Sequence, residues 1–322
     1  MAHYLVTGAT GYIGSMLVRR ILADMPAARV TVLVRDVQKA RAMLPEAVVV
    51  TGADITDAAA MACIDVDADY IVHCAAATQS AYMVSHPVET ADSIVLGTRN
   101  VLELARRAAV RGMVYLSSME VYGQIDCSED QRVTENELGA LDVLALRSCY
   151  PMGKRMAEQY CAAFSHAYGV PVCIARLAQT FGTGVSSRDQ RIFMQFARAV
   201  RAQRDIVLHT AGDSMGNYCA IQDVLSAVLF LLEHGAAGEA YNVVNEQNTM
   251  RIRDMAALVA DKIAGGRIGV VYDIPEGNVY GYAPTTGLRL SGQKLRSLGW
   301  QAETGLEEMY SGVLQTMTDE AW

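Results

Sequence analysis

Tyr150 and Lys154, in the run Arg147-Ser148-Cys149-Tyr150-Pro151-Met152-Gly153-Lys154-Arg155, stand four residues apart. On a helix that spacing puts both side chains on one face. An ammonium beside a phenol favours the phenolate and lowers its pKa. A tyrosine tuned in this way can exchange a proton with an alcohol or sugar hydroxyl. The spacing also occurs on solvated helix surfaces, so its meaning depends on the rest of the chain. A second group lies in Tyr115-Leu116-Ser117-Ser118-Met119-Glu120-Val121-Tyr122-Gly123, which combines a strand end with a hydroxyl and a carboxylate two residues apart. Ser118 at a strand C-terminus points into the crevice where α/β sheets bind ligands, and with Tyr150 it could grip one oxygen through two donors. Glu120 reads either as a working acid or base in that cavity or as a structural hydrogen-bonding acid.

These groups need a scaffold, and the N-terminus starts one. Met1-Ala2-His3-Tyr4-Leu5-Val6-Thr7 reads as a short apolar strand that runs into Gly8-Ala9-Thr10-Gly11-Tyr12-Ile13-Gly14 and then into a helical pattern. Glycines at 8, 11 and 14 permit a tight strand-to-helix turn whose amides can approach a pyrophosphate, with Thr10, Tyr12 and Ile13 beside it. A nicotinamide dinucleotide held there would exchange hydride while Tyr150 exchanges a proton. The second strand ends in Arg35-Asp36. An acid at that place accepts from a ribose 2′-hydroxyl and an arginine accommodates a 2′-phosphate, so Arg35 favours NADP over NAD. The other reading is a solvated arginine, with Asp36 serving NAD after a one-residue shift. In Gly52-Ala53-Asp54-Ile55, Asp54 is a candidate for the adenine amino group or a turn acid. Small residues at Cys74-Ala75-Ala76 would let the dinucleotide pass close to the backbone; His73 reads as a strand-end packing residue.

Apolar runs of strand length at 3–7, 29–34, 47–51, 69–74, 112–117 and 171–176 alternate with helical patterns at 12–24, 37–43, 91–110 and 149–168. That alternation predicts an α/β protein, a Rossmann doubly wound parallel sheet with a smaller, interleaved C-terminal substrate lobe. The expected division is 1–176 with 220–245 for the dinucleotide-binding domain and 177–219 with 246–322 for the substrate lobe. A helix over 224–233, a strand over 240–244, a helix over 250–264 and a loop over 272–284 complete the pattern. With 322 residues, 52% hydrophobic and 19% charged, a substantial core is expected. A net charge of −8 without any basic run disfavours nucleic acid. The most apolar stretch, 224–232, is too short to span a bilayer, and the chain opens on a core strand rather than a signal peptide. The seven cysteines show neither zinc nor redox spacing. No metal site is expected, and a reducing cytoplasm is.

Taken together, Gly8-Gly11-Gly14, the Ser118 run and Tyr150-Lys154 resemble the extended short-chain dehydrogenase/reductases. Ser118-Met119-Glu120-Val121-Tyr122-Gly123 and the segment from Arg147 to Glu158 resemble UDP-glucuronate decarboxylases and nucleotide-sugar 4,6-dehydratases of the NAD-dependent epimerase/dehydratase type. Asp189-Gln190-Arg191-Ile192 resembles an element preceding a helix of their substrate lobe. The resemblance implies that Tyr150 deprotonates the 4-hydroxyl of a nucleotide sugar as hydride leaves C4. It implies further that Lys154 tunes Tyr150 and binds the nicotinamide ribose, that Ser118 shares the hydroxyl proton and that Glu120 serves the later proton transfer. The tightly bound dinucleotide takes its hydride back. A reductase that consumes NADPH is the alternative. Four positions depart from the pattern: Ile94 replaces an asparagine, Met119 an aspartate that dehydratases use for water loss, and Gln179 a substrate-contacting asparagine. Gly216 stands in place of a phosphate-clamping arginine, for which Arg188 and Arg191 are the nearest substitutes in sequence. A homodimer through the helices around 97–111 and 148–168 is expected by analogy, with Ala157, Cys161 and Ala162 offering a small-residue surface that fits an intramolecular interface equally well.

Overall fold

The computed structural model describes residues 1–65, 67–76, 79–125, 127–128, 131–277 and 285–317. The first strands are β1 (His3–Thr7), β2 (Arg29–Val34), β3 (Val49–Gly52) and β4 (Tyr70–His73). They are followed by β5 (Gly112–Ser118) and β6 (Val172–Leu177). With the strand Ala240–Val243 they form one seven-stranded sheet in the order Ala240–Val243, β6, β5, β4, β1, β2, β3. The pairings from β3 through β6 are all parallel. This is the expected doubly wound sheet. All residues of β1, β4 and β6 are buried, the near-continuous apolar strand that helices on both faces require. The order reverses between β1 and β4, and at such a point the loops leaving two adjacent strands diverge to opposite faces and open a crevice.

The helices that matter for the site are α1 (Tyr12–Asp24), α2 (Val37–Met43), α3 (Ala58–Ala62), α4 (Ser80–Ser85), α5 (Pro87–Arg107) and α6 (Cys149–Tyr168). Helix α5 begins four residues before the periodicity predicts. Proline at its first position fits a helix start, and Val88 and Glu89 are exposed there and add nothing to the apolar stripe. Helix α6 ends at Gly169, whose φ of +68° closes the last turn in the left-handed region. Ala157 and Cys161 of α6 are buried in the core with Ile94, Val101, Leu102 and Tyr150. Of the three small residues named for a second copy, Ala157 and Cys161 are therefore used inside the chain, and Ala162 is half-buried. Ile94, in place of an asparagine, packs toward Gly153, where a Cβ would lie 3.4 Å from it.

The chain divides into two compact units: 1–123, 140–177 and 225–242 in the first, and 124–139, 178–224 and 243–322 in the second. Four stretches differ from the expected division: 124–139, 177, 220–224 and 243–245. Residues 124–139 join the second unit because Val133 exchanges backbone hydrogen bonds with Arg289 and Ser291. Residues 220–224 join it because Asp223 accepts from Thr304 N at 3.0 Å. The second unit is built from short strand pairs: Gln179–Phe181 with Tyr218–Ala220, Ile206–Leu208 with Val270–Tyr272, and Met215–Gly216 with Met250–Arg251. Its centre is aromatic, with Phe181 stacked on Phe193 at 4.2 Å and edge-on to Tyr310 at 5.3 Å. The predicted helix over 250–264 is shorter, Ile252–Leu258 followed by a wider turn, because Met250–Arg251 is drawn into a strand pair. The predicted loop over 272–284 begins inside a strand at Tyr272, and its part from 278 onward lies outside the described residues. Among the described residues no helix is long and apolar enough to cross a membrane and no cluster could hold a metal ion. All seven cysteines are free.

Candidate active site

Helix α6 presents Tyr150 and Lys154 on one buried face. The Lys154 Nζ donates to the carbonyl of Leu116 at 2.6 Å, which ties the helix to β5. The same nitrogen lies 4.6 Å from the ring centre of Tyr115 and 5.8 Å from that of Tyr150. Burial pulls the Lys154 pKa down to about 8, against the carboxylate of Glu158, which favours the charged form. Beneath it His73 bridges Thr7 Oγ1 at 2.6 Å and Thr98 Oγ1 at 3.1 Å. Burial, reinforced by the Lys154 charge, drives the His73 pKa to about 3, so the imidazole is neutral and structural. The packing role read from the sequence is the one it has, although its threonine partners were not legible.

Ser118 is the last residue of β5, where its Oγ accepts from Glu120 N at 3.2 Å and opens the turn Met119–Tyr122. Glu120 is half-exposed and paired with Arg147 at 2.8 Å. Arg147 also donates to Ser80 Oγ of α4 at 2.9 Å, and its guanidinium carbon stands 5.5 Å from the Tyr150 ring centre. Sequence reasoning gave Arg147 no role. Its position three residues before Tyr150, one helical turn, was the available signal.

The glycine turn is a cradle that side chains would fill. Gly8 has φ of +69°, and a Cβ on it would lie 2.7 Å from Ala75 N. A Cβ on Gly14 would lie 2.4 Å from the carbonyl oxygen of Gly8. The loops after β1 and β4 thus touch at the reversal of strand order. Gly11 caps α1 with no side-chain cap bond, so the helix N-terminus faces the cradle with backbone amides, with Thr10, Tyr12 and Ile13 around it. Cys74, Ala75 and Ala76 line the facing loop and are half-buried. This cradle fits a dinucleotide pyrophosphate.

At the other edge Asp36 is taken: its carboxylate caps α2, accepting from Lys39 N at 2.9 Å. Arg35 is exposed and, among the described residues, has no hydrogen-bond or ion-pair partner. Asp54 accepts from Thr56 N at 2.9 Å and Thr56 Oγ1 at 2.8 Å. Although partial burial opposes it, those hydrogen bonds and the Arg35 charge bring the Asp54 carboxyl below its usual range. Ile55 is buried, and its carbonyl is fixed by Asn100 Nδ2 at 2.8 Å.

In the second unit Gln179 begins a strand, its amide donating to the carbonyl of Asn217 at 2.9 Å. Gly216 cannot host a clamp, since a Cβ there would lie 2.2 Å from the Tyr218 hydroxyl oxygen. Arg191 is neutralised by Asp189 at 2.6 Å and lies over the Phe193 ring. Arg188 is exposed and keeps its guanidinium unpaired among the described residues. Arg289, half-buried and likewise unpaired, was missed. Its neighbours are locked beside the Gly216 segment, with Asn217 donating to Leu288 O at 2.8 Å and accepting from Leu290 N at 2.9 Å. Nothing in sequence spacing could link 289 to 216.

A parallel sheet reversing at a glycine cradle, with a buried tyrosine–lysine pair on the helix after β5, defines a dinucleotide-binding α/β protein. Residues 4–245 match the model of the NAD dependent epimerase/dehydratase family, and the chain belongs to that family. A UDP-glucuronic acid decarboxylase 6 of Arabidopsis thaliana is 28% identical over 73% of this chain and 67% of its own length. A dTDP-glucose 4,6-dehydratase of Mycobacterium tuberculosis is 28% identical over 75% of this chain and 72% of its own. Coverage of other decarboxylase relatives varies, with 60% of the length of one from Xenopus tropicalis and 72% of one from Danio rerio spanned. Among solved structures, the UDP-glucose 4-epimerase of Thermotoga maritima with UDP-glucose shares the fold, with TM-score 0.82 at 22% identity, covering 98% of both chains. The dTDP-glucose 4,6-dehydratase DesIV of Streptomyces venezuelae, with NAD and TYD bound, gives 0.76 at 25% identity over 98% of this chain and 95% of its own.

Proposed function

We propose that this chain converts a nucleotide sugar through a transient 4-keto sugar, as an epimerase or decarboxylase. The observation that carries the reading is the buried Tyr150–Lys154 face of α6, fastened to the strand that ends in Ser118. The named activities of the relatives fit it. When bound, the dinucleotide supplies the acceptor for the sugar C4 hydride and returns that hydride at the end of the cycle. Gly8, Gly11 and Gly14, with Thr10, Tyr12 and Ile13, would hold its pyrophosphate, and Cys74 to Ala76 would flank it. Tyr150 takes the proton of the 4-hydroxyl, Ser118 donates to the same oxygen and the Lys154 charge favours the phenolate. Glu120, held as the acceptor of Arg147, receives the C5 proton or directs protonation of the product. Met119 offers no acid for water loss, which sets a dehydratase behind the other two. Gln179 and Arg188 would contact the substrate, with Arg289 rather than Arg191 supplying the charge that Gly216 lacks.

Exposed Arg35, without a hydrogen-bond or ion-pair partner among the described residues and beside a sequestered Asp36, supports NADP over NAD, and it motivates the second reading, an NADPH-consuming reductase of a ketone or 4-keto sugar. Leu96, Met152 and Met156, exposed on α5 and α6, are compatible with a homodimer. Free cysteines fit a reducing, cytoplasmic setting.

The test is to purify the protein, identify any retained dinucleotide after denaturation, and incubate the holoprotein with UDP-, dTDP- and CDP-sugars without added cofactor. Product formation with no net change at 340 nm is expected. Dinucleotide-free protein that turns over nothing overturns the reading, and stoichiometric NADPH oxidation establishes the reductase instead.

A further inference from the structure

Beneath the Tyr150–Lys154 pair lies a buried charge network that the proton-transfer reading does not use. Glu158 stands one helical turn after Lys154 on α6, with its side chain 10% exposed. Its Oε1 accepts from Ser117 Oγ at 2.5 Å, and its Oε2 accepts from Arg176 Nη2 at 2.7 Å. Arg176 Nε donates to both carboxylate oxygens, at 3.1 and 3.2 Å. The third guanidinium nitrogen reaches Tyr122 at 3.1 Å, and the Tyr122 hydroxyl donates to Asn242 Oδ1 at 2.7 Å. Ser117 and Tyr122 flank the turn that carries Ser118 and Glu120, and Arg155 Nε adds a bond to Val121 O at 2.7 Å. The carboxylate thus joins the helix bearing Tyr150 and Lys154 to both sides of the turn bearing Ser118 and Glu120, directly at Ser117 and through Arg176 at Tyr122.

Stability does not explain the arrangement. An apolar group of similar volume replaces a buried ion pair at little or no cost, whereas removing one partner leaves an uncompensated charge. A pair kept in the core next to a proton-transfer site has a geometric and electrostatic use. We propose that Glu158 is the positioning residue of this site: it holds α6 in register with the 118–122 turn and keeps a negative charge one helical turn from Lys154.

The inference rests on the proton-transfer reading of Tyr150 and Lys154. The titratable groups around Lys154 are Tyr150, Glu158 and Cys161 of α6, Tyr115 of β5, and His73 and Cys74 at the end of β4. Of these, the Glu158 carboxylate favours the charged amine most strongly. The aromatic rings favour a cation only weakly by comparison. Without Glu158 the lysine loses its charge at lower pH, and the Ser118 turn loses one tether on each side.

The chain has four lysines, Lys39, Lys154, Lys262 and Lys294, so Lys154 can be followed alone by NMR in lysine-labelled protein and assigned by Lys154→Met. The variants are Glu158→Gln and the double variant Glu158→Gln, Arg176→Met, which leaves no unpaired buried charge if the single change does not fold. In wild type Lys154 is expected to titrate near 8, with the alkaline limb of kcat/KM on the nucleotide sugar following it. In whichever variant keeps the native circular dichroism, both should move about one pH unit or more toward acid, with kcat reduced at least about tenfold at neutral pH. A folded double variant with an unmoved Lys154 titration, or with kcat within twofold of wild type, overturns the proposal. If wild type turns over no nucleotide sugar, the proposed function fails, and the lysine titration alone decides on Glu158.

Discussion

The Lys154 end of the first unit and its Arg35 edge are built on opposite terms. At the first end Lys154, His73 and Glu158 are buried and each is tied to a second element: Lys154 to β5, His73 to Thr7 and Thr98, Glu158 to Arg176. At the other edge Asp36 and Asp54 satisfy only groups within three residues of themselves, and Arg35 is in solvent. Buried charges shift their pKa and tolerate no loose partner. Exposed ones can be exchanged cheaply, since water replaces whatever is removed. On the proposed function, reaction chemistry would be fixed by the core and the choice between two dinucleotides left to the rim.

The difference can be broken from the largest effect downward. Tyr150→Phe keeps the buried ring and removes the proton carrier. Turnover on the nucleotide sugar should fall roughly 10²- to 10⁴-fold, with the thermal transition retained. An unchanged kcat would leave the buried end without its function. At the rim, Arg35→Ala should weaken NADP binding relative to NAD by roughly ten- to a hundredfold, the worth of one or two charge-assisted hydrogen bonds, as read by titration calorimetry with both. Equal loss for both dinucleotides would mean that Arg35 does not read the 2′-position.

His73 sharpens the comparison through stability. Unfolded, its pKa is near 6.5; folded it is about 3. Between those values the unfolded chain binds a proton that the native chain does not, so stability is lost as pH falls from 6.5 toward 3. The slope is about 1.4 kcal/mol per pH unit from this residue. His73→Asn should flatten that part of the denaturation profile even if it lowers stability overall. Asp36→Ala ends the series. It removes one helix cap, about 1 kcal/mol in urea unfolding, and leaves NAD affinity unchanged.

Much of this contrast was legible in advance, for a physical reason. Strands buried on both faces and helices with one apolar stripe repeat at periods that the chain displays directly, so β1, β2, α1, α2 and α6 have the bounds that the pattern predicts. Local caps were legible in kind, and Asp36 shows the cost of position alone: it sits beside the dinucleotide edge and serves its own helix. Long-range polar partners were not legible. Arg147 with Glu120, Asn100 with Ile55, and Arg289 beside Asn217 join positions separated by tens of residues, and no periodicity reports such pairs.

The sequence by itself determined the doubly wound sheet, the glycine turn and the shared face of Tyr150 and Lys154, because each follows from spacing within one element. The tertiary structure decided which charges are free to work. It sequestered Asp36 and Arg191, left Arg35, Arg188 and Arg289 without a hydrogen-bond or ion-pair partner among the described residues, and buried Glu158 against Arg176 beneath the lysine. Spacing fixes where a side chain leaves the backbone; its charge state and partners depend on what the folded chain brings within a few ångströms.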